Sequence, residues 1–363
     1  MRNKNYDKVF LITVCLMILA GLFILVSASM GLLSREGASF SSIVIKQMAL
    51  GLGPGIVLFL IASRIHYKKW KRFALPLFIF SFLLMLLVFE PHLGFSHGGA
   101  KRWISLGSFT FQPSEILKFA FIIYLASWLS SRKDDVKSFK FGFLPFLIIT
   151  GFVGALLVLE PDIGTLGVIA ITAALMFFVA GGRFSQVALL IFLGVAVLYV
   201  LILIKPHAMS RVTVFLNPSV DPQGIGYQLR QSLIGIGSGG IFGRGFGMSI
   251  QKFNYLPEPI GDSIFAVFAE EFGFIGSLFL LGLFLFFLYR SFRIVMRSSD
   301  SFARLLGSGI VMLIIIQSFI NIGSIIGIVP LTGLPLIFIS QGGSALAMAL
   351  ASMGILLNIS KNG

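Results

Sequence analysis

The chain has 363 residues, 57% of them hydrophobic and 12% charged, with a mean hydropathy of +0.98. That composition excludes an ordinary water-soluble domain and places the chain in the membrane class before any motif is read. The net charge of +14 does not signal a nucleic-acid partner. The cations fall in short clusters between apolar runs, which is the pattern of an inner-leaflet orientation signal.

A crossing helix needs about 20 mostly apolar residues. Runs that meet or approach this length lie at 9–33, 43–62, 73–89, 112–130, 142–159, 163–181, 186–204, 263–289, 303–327 and 331–357. The fold class expected is therefore all-α: a polytopic integral membrane protein of about ten transmembrane helices, residues 1–363 forming one membrane domain. Arg2, Lys4 and Lys8 precede the first run, which is too long for a signal peptide and is kept as a helix starting on the cytoplasmic side. With ten spans and both termini cytoplasmic, eighteen of the 28 Lys and Arg fall on the inner side. Cys15, the single cysteine, lies inside the first run, so neither an intrachain disulfide nor a multi-cysteine metal site is available.

Two outer connections share a pattern, EPHLG from Glu90 and EPDIG from Glu160, which reads as a reused helix stop. Between 97 and 118, Gly98, Gly99, Lys101 and Arg102 are expected to form a turn presenting two cations, with Trp103 at headgroup depth. Pro113, Ser114 and Glu115 then open a helix on which Glu115 and Lys118, three apart, share a face. Inside a span that face should turn to a cavity or a partner helix, so the pair is either a structural ion pair or part of a substrate-lining wall.

One long extracytoplasmic loop, 205–262, interrupts the apolar pattern and carries Arg211, Asp221, Arg230, Arg244, Lys252, Glu258 and Asp262. Charged groups in a loop at a membrane entry point are where chemistry is expected. The GIGSGG run at 235–240 formally matches a dinucleotide fingerprint, but no strand precedes it and no β-α-β unit fits here. Two readings of the nine glycines between Gly224 and Gly247 stay open: an anion nest of backbone N–H groups, or a tightly folded re-entrant segment. The four His, at 66, 92, 97 and 207, show no metal-ligand spacing.

Several motifs in order resemble the SEDS family of bacterial cell-wall polymerases, the FtsW/RodA/SpoVE group. They are GAKRWISLG (99–107), FQPSEILK (111–118), EPDIGT (160–165), GYQLRQSLIGIGSGG (226–240), QKFNYLPEPIGDSIFAVFAEEFGFIG (251–276), QSFINIG (317–323) and LTGLPLIFISQGGSALAM (331–348). TGLPLIFIS and the closing LLNIS look more like the cell-division branch than the elongation branch. The resemblance implies a peptidoglycan glycosyltransferase. Its substrate would be lipid II, the undecaprenyl-pyrophosphoryl disaccharide-pentapeptide, polymerised at the outer face of the bacterial cytoplasmic membrane. It also implies a class B penicillin-binding transpeptidase and division-complex membrane proteins as partners, within the surrounding membrane lipids.

The family's essential acid, placed just before IFAV, falls on Asp262. The family has His-Thr before it where this chain has Ile260-Gly261, and Tyr where this chain has Gln341. Glycan polymerisation needs a base for the attacking hydroxyl and donors or cations for the departing pyrophosphate. Asp262 is the expected base. Lys118, Glu115, Arg102, Trp103, Arg211, Lys252, Glu258 and Gln341 are the expected substrate contacts, and a divalent cation at the pyrophosphate is a further possibility with no ligands assigned. The competing readings are a lipid II flippase, which needs charges along a crossing path, and a non-catalytic division scaffold.

Overall fold

The computed structural model describes residues 6–31, 40–90, 92–97, 100–107, 109–218, 220–221 and 224–363. Arg2, Lys4 and the Gly98-Gly99 turn lie outside them. Eight of the described helices are long and apolar enough to cross a membrane. They are α1 (Lys8–Ser29), the continuous stretch Ile43–Arg64, α4 (Tyr67–Leu87), Phe139–Leu159, α8 (Phe184–Ile204), α11 (Ile264–Arg297), α12 (Ser301–Ile325) and α13 (Gly343–Asn362). Ile43–Arg64 joins α2 (Phe40–Lys46), a π-helical stretch and α3 (Gly53–Arg64), and Phe139–Leu159 ends in α6 (Leu144–Leu159). The remaining two of the ten expected runs form α5 (Pro113–Ser131), which carries Glu115 and Lys118, and α7 (Ile163–Val179), of 17 residues.

The chain is predominantly but not wholly helical, which corrects the all-α expectation. β1 (Gly94–His97), β2 (Ala100–Leu106) and β3 (Phe109–Phe111) make a three-stranded antiparallel sheet in the order β1-β2-β3. The cause is a period-2 pattern: along β2 the residues alternate sides, Lys101 exposed and Ile104 buried, and Trp103 pairs with Phe95 across the ladder. The expected cationic turn is thus partly a strand. The last apolar run is also shorter as a helix than expected. Residues 331–342, with Gly333 at φ +69° and Phe338 at φ +71°, are irregular, and α13 begins only at Gly343.

Helix α12 is the centre of the bundle and is mostly buried, whereas α8 is mostly exposed and lies at the periphery. It packs against α5, α7, α11 and α13, while α13 lies along α3. Its N-terminus is capped by Asp300, which accepts from the Phe302 N–H at 3.0 Å. At one face of the bundle Asp7 caps α1, pairs with Arg290 at 2.8 Å, and its N–H donates to Ser360 Oγ at 3.1 Å. Both ends of the described chain therefore meet at the same face. At the opposite end of α1, Ser27 donates to Glu271 of α11, so these two helices run antiparallel.

The interval 205–262 is not a plain loop. It holds α9 (Pro206–Leu216) and α10 (Ile225–Gly239). The glycine cluster is the end of α10, pressed on α11: a Cβ on Gly239 would sit 2.2 Å from the Ala269 carbonyl oxygen. The Gly243, Arg244 and Gly245 N–H groups donate to the carbonyls of Gly239, Glu270 and Glu271. These N–H groups at 243–245 are spent on the chain itself, as a tightly folded segment requires.

Candidate active site

Asp262 lies two residues before α11, where three elements converge. From α10, Gln228 Nε2 donates to Asp262 Oδ1 at 3.2 Å and to Ser263 Oγ at 2.9 Å. From α12, Asn321 Nδ2 donates to the Asp262 carbonyl at 2.8 Å and to the Leu334 carbonyl at 2.7 Å, fixing the approach to the helix against the 331–342 segment. Gln317, Asn321 and Ser324 share one face of α12 at helical spacing and are all buried. From α9, Arg211 Nη1 donates to the Thr332 carbonyl at 2.7 Å. A Cβ on Gly333 would stand 3.4 Å from Arg211 Nη2 and 3.9 Å from Asp262 Oδ2, so guanidinium and carboxylate border the same small space.

Burial, with the nearby Glu258 charge adding to it, raises the Asp262 carboxyl to about 6, against the Gln228 hydrogen bond and Arg211. Desolvation outweighs the opposing hydrogen bonds, from Gln228 and from the backbone N–H of Asp262, and the Arg211 charge. Burial lowers the Arg211 guanidinium, as does the like charge of Arg102, while Asp262 and Asp162 act the other way. The wall continues through β2 and the α6-α7 turn. Arg102 Nε donates to the Glu160 carbonyl at 3.2 Å, and its Nη2 donates to the Pro161 carbonyl. The α7 start reaches the same region, since a Cβ on Gly164 would meet the Thr332 carbonyl at 3.0 Å.

The other expected contacts are placed unevenly. Glu258, exposed and at φ +49°, holds the turn into Asp262 through its carbonyl, which accepts from the Gly261 and Ser263 N–H groups at 3.0 and 3.2 Å. Gln341 is brought beside this turn by its backbone, its N–H donating to the Ile260 carbonyl at 2.8 Å. Trp103 sits half-buried on the sheet. Lys118 and Glu115 turn inward onto α12: Lys118 Nζ lies 2.8 Å from Glu115 Oε1 and 2.6 Å from Gln317 Oε1, and both side chains are buried.

Lys252 departs furthest from its expected place. Its Nζ is enclosed, 2.7 Å from Glu271 Oε1 and 3.2 Å from Ser27 Oγ, in a pair that ties the 205–262 interval to α1 and α11. Lys252, expected as a substrate contact, is thus held in a buried ion pair. Among the described residues no three His, Cys, Asp or Glu side chains gather as a metal-binding group. Gln228, Asn321, Thr332 and Gly333 were not assigned roles from sequence, although the motifs QSFINIG and LTGLPL contain three of them.

A family model described as "Cell cycle protein", the FtsW/RodA/SpoVE model, matches residues 7–363. The chain belongs to the FtsW/RodA/SpoVE family. Among the family's members, Stage V sporulation protein E of Bacillus subtilis is 38% identical over 360 residues, covering 99% of this chain and 98% of that one. The probable peptidoglycan glycosyltransferase FtsW of Coxiella burnetii is 40% identical over 359 residues, covering 98% and 96%. Two solved folds are similar. One is a chain of a peptidoglycan synthase complex that coordinates polymerization and crosslinking, with TM-score 0.79, 28% identity and coverage of 98% and 97%. The other is the rod shape determining protein RodA of Thermus thermophilus, with TM-score 0.71, 26% identity and coverage of 98% and 96%.

Proposed function

We propose that this chain is a peptidoglycan glycosyltransferase that polymerises lipid II at the outer face of the bacterial cytoplasmic membrane, serving septal wall synthesis in cell division. The observation that carries the reading is Asp262: a partly buried carboxyl, fixed by Gln228 and raised to about 6, across a small space from Arg211. A base of that strength is mostly ionised at neutral pH yet takes a proton more readily than an ordinary Asp.

In the reaction a sugar hydroxyl attacks the anomeric carbon of a second lipid-linked glycan. A C–O bond forms to the acceptor oxygen, Asp262 takes its proton, and the bond to the pyrophosphate breaks with its electron pair leaving on phosphate oxygen. Arg211 and Arg102 supply positive potential for that leaving group. Pyrophosphate leaves readily, so the paired acid of a glycoside hydrolase is not needed.

Membership of the family supports the reading, as do relatives named for peptidoglycan glycosyltransfer. A class B penicillin-binding transpeptidase and division-complex membrane proteins are the partners proposed, with both termini cytoplasmic. The flippase alternative gains little from the deep charges, since Lys118 with Glu115 and Lys252 with Glu271 are self-paired rather than strung along a path. The test is to incubate the purified protein and its transpeptidase partner with lipid II and resolve the products by gel. Glycan strands are expected. Movement of lipid II across vesicles without any strands would transfer the assignment to a flippase.

A further inference from the structure

Glu160 is a buried acid that the chemistry above leaves unused. It closes α6, is 1% exposed, and both its carboxyl oxygens are sealed from solvent with no hydrogen-bond partner among the described residues. The adjacent cation does not satisfy it, because the Arg102 guanidinium is directed at the carbonyls of Glu160 and Pro161 rather than at the carboxyl. Asp162, also buried, is occupied: it caps α7, accepting from the Thr165 N–H at 3.2 Å and the Thr165 hydroxyl at 2.8 Å.

A buried carboxyl without hydrogen-bond donors favours its protonated form. Burial first and Asp162 second push Glu160 up to about 8, with Arg102 opposing. These two are the charged groups that face it. Arg211 in turn senses Arg102, Asp162 and Asp262, so one connected field spans the wall.

We propose that Glu160 is an uncharged carboxylic acid in the working protein, a positioning residue whose neutrality leaves the positive field of Arg102 and Arg211 available to a diphosphate-bearing substrate. The substrate class rests on the polymerase reading. A carboxylate in the same place would add a second negative charge beside Asp162 and cancel much of the Arg102 potential. The acid keeps the shape of the turn without that cost.

The test compares wild type with Glu160→Gln, which keeps size and neutrality, and Glu160→Ala, which keeps only neutrality. At pH 7 Glu160→Gln is expected to polymerise lipid II at a rate comparable with wild type. One pH unit above a value of about 8, roughly nine-tenths of Glu160 is ionised, so the variant-to-wild-type rate ratio should climb to about ten by pH 9. Glu160→Ala should lose rate at both pH values, through loss of the turn's packing.

Thermal melting gives a readout independent of activity. A folded-state value above the ordinary 4.5 means that protonation favours the folded state fully below pH 4.5 and that this benefit is lost as pH rises to about 8. The melting advantage of Glu160→Gln over wild type should therefore widen from pH 5 to pH 8 and then stay constant. A tenfold loss in Glu160→Gln at pH 7, or a melting gap that ignores pH, would overturn the proposal. Absence of strands from the unmodified protein would remove the polymerase reading instead, while the melting comparison would still decide the charge on Glu160.

Discussion

Asp262 has an ordinary value of 3.8 and is held at about 6 by burial and by Glu258. A general base acts when ionised, so polymerisation should rise with pH through about 6. Glu258→Gln removes the like charge and should shift that acid limb to lower pH while activity persists, as a pH-rate profile would record. A Glu258→Gln variant with an unmoved limb would separate the two carboxyls. Gly333→Ala tests the shared space. The methyl would stand between Arg211 Nη2 and Asp262 Oδ2 at ordinary contact distances, and φ +69° adds backbone strain of about 1–2 kcal/mol. Lower polymerisation with nearly normal membrane yield is expected. At this scale the position of Asp262 was legible from sequence, because it sits where an apolar run resumes. Gln228 and Asn321 were not: their roles come from α10 and α12 arriving from 34 and 59 residues away.

The elements that hold the site are joined by buried ion pairs, and their energetics set a second class of prediction. Lys252→Met leaves Glu271 buried with its cation gone, which costs about 3–5 kcal/mol by the usual experience with broken buried pairs. Adding Glu271→Gln should recover much of that loss, measured as detergent-solubilised melting. The same logic applies to Lys118 and Glu115, whose pair is completed by Gln317 of α12. Equal loss of polymerisation and of inserted yield in Lys118→Ala would mark the pair as purely structural; a larger loss of polymerisation would give it a share in the site. The apolar runs named most helices because a span must be long and oily. They could not show that Gly273, at φ +64° against Gly243, breaks the regular backbone inside α11, since a single glycine in an apolar run carries no length signal. Nor could they show the sheet at 94–111, whose period-2 pattern is only three to seven residues long.

At the scale of the whole molecule, α1 and α11 run antiparallel, joined by Asp7 to Arg290 at one end and Ser27 to Glu271 at the other. The turn carrying Asp262 therefore lies toward the C-terminal end of α1, and both ends of the described chain share the opposite face. If the cationic clusters mark that face as cytoplasmic, cysteines at 95 and 225, introduced after Cys15 is replaced, should react with a membrane-impermeant thiol reagent in intact cells. One at 135 should not. The reverse pattern would turn the molecule over and remove Asp262 from the outer face.

The central claim is that the Asp262 carboxylate is the base for glycan polymerisation. The most direct measurement is lipid II polymerisation by the purified protein with its transpeptidase partner, wild type against Asp262→Asn, with folding and partner binding monitored in both. Asn keeps the size and most of the hydrogen bonding but cannot take the proton. A loss of about 100-fold or more, with folding and partner binding intact, is predicted. Undiminished glycan strands from Asp262→Asn would contradict the account.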